Sequence, residues 1–125
     1  FDRIVIDHHF CEKQRLGRLV TIVAMERGML GVGVDAGTAL VVDPAKGIEV
    51  IGAGAVTIFD GRAMSYSNLD NAADGSILAL CNVQLNLLPA GFSFKLKRGG
   101  EGQLADGARV SAGLAAMIES LASTR

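Results

Sequence analysis

The chain has 125 residues, half of them hydrophobic and 20% charged, with a formal net charge of -1. That length allows one domain with a modest core, and the composition excludes intrinsic disorder. The near-neutral balance excludes a sequence-independent nucleic-acid binder, which needs a cationic surface, and no apolar run has the length of a membrane-spanning helix.

Two cysteines, Cys11 and Cys81, make no disulfide framework and suit a reducing compartment, so a cytoplasmic location is expected. The sequence opens on Phe1, not Met, and its first strand begins almost at once. Residues 1-125 therefore read as a single unit that is a fragment or one chain of a cut protein.

Ile4 to Asp7 is an apolar run with β-branched character and reads as a central strand flanked on both sides. Leu16, Leu19, Val20 and Val23 recur at helical spacing, which predicts an amphipathic helix over Lys13 to Arg27, stopped at Gly28. Leu30 to Val34 reads as a strand whose glycines, Gly31 and Gly33, admit close neighbours. The opening is thus β-α-β, the signature of a parallel sheet.

After Asp35 the character turns to β. Ala39 to Val42 and Ile48 to Ile51 read as strands around Asp43-Pro44-Ala45-Lys46-Gly47, which has turn chemistry. Ala55 to Phe59 reads as a strand ended by Asp60-Gly61, and Ser65 to Ser76 as a loop. Leu78 to Leu80 and Val83 to Leu88 are short strands, followed by a turn at Pro89-Ala90-Gly91 and an alternating stretch at Phe92, Phe94 and Leu96. Lys97 to Gly107 reads as a Gly-rich, charged connection, and Val110 to Leu121 as a terminal helix.

Chemistry concentrates in Asp7-His8-His9-Phe10-Cys11-Glu12-Lys13-Gln14-Arg15-Leu16-Gly17-Arg18. It lies at the carboxyl end of the first strand, where open α/β sheets bind ligands. Other segments carry weaker signals. Gly52-Ala53-Gly54 lacks the third glycine and the following helix of a dinucleotide fingerprint. Asp35-Ala36-Gly37-Thr38 is similar to a kinase-type phosphate loop, but a strand-turn-strand with a satisfied turn Asp accounts for it better.

Adjacent histidines on an extended chain point to opposite faces, so His8 and His9 make no metal site. Neither a metal nor a cofactor is expected. No serine occupies a Gly-x-Ser-x-Gly elbow, so the chain offers a base without a nucleophile.

The pattern Asp7-x-His9-Phe10 followed by Arg15-Leu16-Gly17-Arg18-Leu19 resembles the cyanophycinase family of serine peptidases. These enzymes cleave cyanophycin, a polymer of aspartate carrying arginine on its side chains. Leu30-Gly31-Val32-Gly33-Val34-Asp35, Thr38-Ala39-Leu40, Val50 to Val56 and Asn86 to Gly91 extend the resemblance in order to about Lys97.

The resemblance implies an α/β fold: the C-terminal part of a Rossmann-like, class I glutamine amidotransferase-like three-layer sandwich, with added strands. It implies a serine-type peptidase that hydrolyses cyanophycin to β-Asp-Arg dipeptides. The nucleophile comes from an upstream N-terminal segment, and homodimer formation is left open. His9 matches the catalytic histidine. Asp35 is the candidate acid partner, since Ala36 stands where the family usually has Glu. Asp7, His8, Lys13, Arg15 and Arg18 match substrate-binding positions, with His8 in place of the usual Gln and Lys13 in place of Arg. The alternatives are an aspartyl or isoaspartyl dipeptidase of the same fold and a non-catalytic binding relative.

Overall fold

A computed structural model describes residues 4–10, 16–25, 29–68, 77–96, 102–104 and 118. The first strand, β1 (Ile4–His8), leads through the helix α1 (Leu16–Met25) to β2 (Leu30–Val34). β1 and β2 pair in parallel from Ile4↔Leu30 to His8↔Val34. A parallel pair needs a long crossover, and α1 lies within the one connecting these strands.

Gly31 of β2 explains how α1 lies so close. A Cβ on Gly31 would stand 2.8–2.9 Å from Leu19 and Val23, the helix residues that pack there. Leu19, Val23 and Ala24 form the buried stripe of α1, at the spacing an amphipathic helix needs. Val32, between the two glycines, points to the opposite face and joins the other core.

β3 (Thr38–Asp43) and β4 (Gly47–Gly52) form a hairpin. Asp43 Oδ1 accepts from the amides of Ala45 at 2.8 Å and Lys46 at 3.2 Å, which is the side-chain turn chemistry expected of Asp before Pro. β5 (Ala55–Asp60) then returns antiparallel to β2, and β8 (Gln84–Pro89) pairs antiparallel with β5. Between them, β6 (Tyr66–Ser67) and β7 (Leu80–Cys81) form a small two-stranded ribbon. β9 (Ser93–Leu96) and β10 (Gly102–Leu104) are the last of the described strands.

The result is mixed α/β and mostly strand. One sheet has the order β1-β2-β5-β8, and a second has the order β10-β9-β4-β3. The main core lies between them: Leu30, Val32, Val56, Ile58 and Leu88 from the first sheet meet Ile48, Val50 and Phe94 from the second. Ile118, helical and fully buried, joins this core. On the other face of the first sheet, Leu19 and Val23 of α1 pack with Phe10 and Phe59. Phe94 is the largest fully buried side chain described. Phe94→Ala should therefore cost about 3–5 kcal/mol in chemical denaturation, through lost transfer energy and the cavity left behind.

Several sequence expectations change here. Among the described strands only β1 and β2 are parallel; the β3–β4 hairpin leaves for the second sheet, and its return brings β5 back antiparallel. Among the described strands β1 stands at a sheet edge with β2 as its neighbour, and Ile6 is 56% exposed. Tyr66–Ser67 is a strand inside the stretch read as loop, because Leu80–Cys81 lies opposite to pair with it. Gly102–Leu104 lies in the stretch read as a connection and pairs with β9. The predicted ends of α1 and most of the predicted terminal helix lie outside the described residues. Among the described residues no helix is long and apolar enough to cross a membrane.

Candidate active site at the carboxyl ends of β1 and β2

Pairing of His8 with Val34 brings the carboxyl ends of two parallel strands level. His9 follows the first and Asp35 the second. Neighbouring strands lie about 4.8 Å apart, so both residues leave the sheet at one point. This is the end at which open α/β sheets place their ligands.

Strand alternation sorts the other residues. Val5 packs on the α1 face, whereas Ile4, Ile6 and His8 line a trough on the opposite face. That trough measures about 450 Å³ and is closed on its other side by β3 residues including Leu40 and Val42. Asp7 therefore falls on the α1 face. It is 5% exposed, and its Oδ2 lies 3.8 Å from Arg18 Nε in the first turn of α1. Asp7 and Arg18 are thus brought together, while His8 is directed to the other side of the sheet. Lys13 and Arg15 lie outside the described residues.

His9 breaks the alternation. Its φ is +53°, the left-handed region that non-glycine residues seldom adopt, although His is among the residues enriched there. One residue so placed turns Phe10 onto the α1 face, where it is buried with Leu19, Val23 and Phe59. The Phe10 amide donates to Val34 O at 3.2 Å, so the backbone stays tied to β2 past the turn. His9 itself is exposed. Burying a Phe ring is worth about 1.5–3 kcal/mol. A left-handed residue costs about 1–2 kcal/mol. The anchor therefore offsets the strain.

Asp35 is held on the β2 side. Its Oδ2 accepts from Ala55 N at 2.9 Å, and its own amide donates to Ala55 O at 3.2 Å. Thr38 Oγ1 accepts from Gly54 N at 2.9 Å, and Ala53 N donates to Gly37 O at 3.0 Å. The Asp35–Thr38 and Gly52–Ala55 loops are thus clasped together. Their glycines serve this close approach, and β5, not a helix, follows Gly54. Ala36, half-buried, begins the turn beside Asp35.

Phe10 belongs to the motif, and Thr38 and Gly54 to the wider resemblance, but the sequence reading assigned none of them a part in the site. The signal for the first was present in the glycine alternation of β2. Nothing in the sequence paired the two loops of the clasp.

The arrangement supplies an exposed imidazole, a carboxylate at the neighbouring strand end and a buried acid, Asp7, beside the exposed Arg18 guanidinium. That set can carry proton transfer once a nucleophile is brought to it. No family model matches the chain. It is 39% identical over 94 residues to the cyanophycinase of Geminocystis herdmanii, which covers 75% of this chain and 35% of the relative. It is 32% identical over 93 residues to that of Trichormus variabilis, covering 74% and 31%. It is also 32% identical over 94 residues to that of Synechococcus elongatus, covering 75% and 29%. The chain spans about a third of the length of these curated relatives. Over three quarters of its own length, this chain is a relative of the cyanophycinase family.

Proposed function

We propose that this chain supplies the histidine-bearing part of a serine-type peptidase that hydrolyses cyanophycin to β-Asp-Arg dipeptides. The observation that carries the reading is the similarity to cyanophycinases across three quarters of the chain. The nucleophilic serine comes from a segment outside residues 1–125. The complete domain is a Rossmann-like, glutamine amidotransferase-like sandwich. The parallel β1-α1-β2 unit supports that fold.

In this reading His9 takes the serine proton as the bond to the substrate carbonyl forms, then returns it to the leaving amine. Asp35, level with it on β2, orients the imidazole. Lys13, Arg15 and Arg18 meet the substrate's carboxylates, with Asp7 beside Arg18 on the α1 face and His8 on the trough face. A polymer of aspartate and arginine presents both charges, so recognition calls for groups of both signs. Arg18→Ala should raise KM about 10- to 100-fold and leave kcat within a factor of three, as loss of uniform binding does. Unchanged KM with reduced stability would show instead that Arg18 only braces α1 against Asp7.

A non-catalytic binding relative is the second reading. It is favoured by Ala36 and by the engagement of an Asp35 oxygen with the Ala55 amide. Incubating the complete protein with cyanophycin and with isoaspartyl dipeptides separates the cases. Release of β-Asp-Arg dipeptides from the polymer supports the proposal. Cleavage of dipeptides alone points to a dipeptidase, and retention of intact polymer to a binding module.

A further inference from the structure

We propose that Phe10 and Gly33 form a positioning pair that holds His9 in its left-handed conformation and so aims the imidazole out of the sheet. The inference rests on the reading of His9 as general base. In a regular continuation of β1, His9 would occupy the α1 face beyond Asp7, and Phe10 the trough face with His8. The φ of +53° at His9 reverses these assignments. Phe10 takes the α1 face at 6% exposure, and His9 is freed to solvent.

The reversal needs room, and Gly33 is where it is found. A Cβ there would lie 2.5, 2.6 and 2.7 Å from three ring carbons of Phe10. The ring therefore fills the place of a missing side chain on the neighbouring strand. The Phe10 amide on Val34 O fixes the backbone one residue after His9. With Phe10 seated and His8 paired, His9 has no freedom to return to an extended conformation. Strain retained in this way, at a position over-determined by its neighbours, is the pattern found at functional sites. Phe10 and Gly33 touch no reacting atom; they act through His9.

The test uses the complete protein and counts kcat per folded molecule. Gly33→Ala pushes the Phe10 ring away and should lower kcat about 10- to 100-fold, since a misplacement near 1 Å costs about that much. KM should change less than about threefold. Gly33→Ala combined with Phe10→Leu restores room for the new methyl group and should recover at least about tenfold of the loss. An unchanged kcat in Gly33→Ala, or no recovery in the double variant, overturns the proposal. Phe10→Ala opens space with no clash and covers the case in which Gly33→Ala does not fold. A crystal structure of Phe10→Ala should show His9 relaxed to negative φ, and a φ still near +53° overturns the pairing. That structural readout is independent of catalysis. If His9→Ala remains active the general-base reading fails, while the φ measurement still decides the positioning role.

Discussion

Replacing His9 with Ala in the complete protein should lower kcat about 10²–10⁴-fold, the usual worth of a positioned general base. Folding should persist, because His9 is exposed at the end of β1 and contributes nothing to either core. His9→Gly sharpens the comparison. Glycine enters the left-handed region without steric cost, so this variant should be at least as stable as the parent and equally inactive. Stability kept or raised while activity is lost marks a residue that is strained for function. Near-parental turnover in either variant would remove His9 from the mechanism.

Gly52→Ala should cost about 2–4 kcal/mol, measured by denaturant unfolding of the same protein. Gly52 has φ +112°, which L-residues rarely adopt. A Cβ there would overlap Gly37 O and lie 2.8 Å from Thr38 Cα, so it would strike backbone that has no rotamer to yield. The damage would spread along the clasp. Ala53 N to Gly37 O, Gly54 N to Thr38 Oγ1 and Ala55 N to Asp35 Oδ2 all depend on this approach. Asp35 would lose its fixed orientation beside His9, so kcat should fall along with stability. Gly91→Ala is a useful contrast. Its φ is +93°, but a Cβ there meets nothing within 4 Å, so it carries the backbone cost without the collision.

The opening of the fold was legible because period and residue type agreed. β-branched residues over Ile4 to Asp7, the Leu19 and Val23 spacing, and Gly-Val-Gly in β2 each pointed to the observed element. The β3–β4 turn was legible for a similar reason, since Asp43 carries its own local hydrogen bonds. Strand direction was not legible. The β-α-β signal extends only to β2, and whether β5 returns parallel depends on the path of the β3–β4 hairpin, a tertiary matter.

β6 and β10 escaped because each is short and acquires strand character from its partner. Tyr66–Ser67 and Gly102–Leu104 have no alternation long enough to read. In the site, the motif drew attention to Asp7, His9 and Arg18. It could not show that Asp7 turns to α1 while His8 turns to the trough. That sorting follows from the pairing of β1 with β2 and from the single left-handed residue after it.

The most direct measurement is covalent labelling of the complete protein with a fluorophosphonate, which reacts with a serine only when a neighbouring base activates it. Peptide mapping would locate the adduct, with His9→Ala carried in parallel and its folding verified by circular dichroism. The account predicts one labelled serine outside residues 1–125 in the parent protein and no label in His9→Ala. Equal labelling of that serine in both proteins, or no serine adduct in a parent that releases β-Asp-Arg dipeptides from cyanophycin, would contradict it.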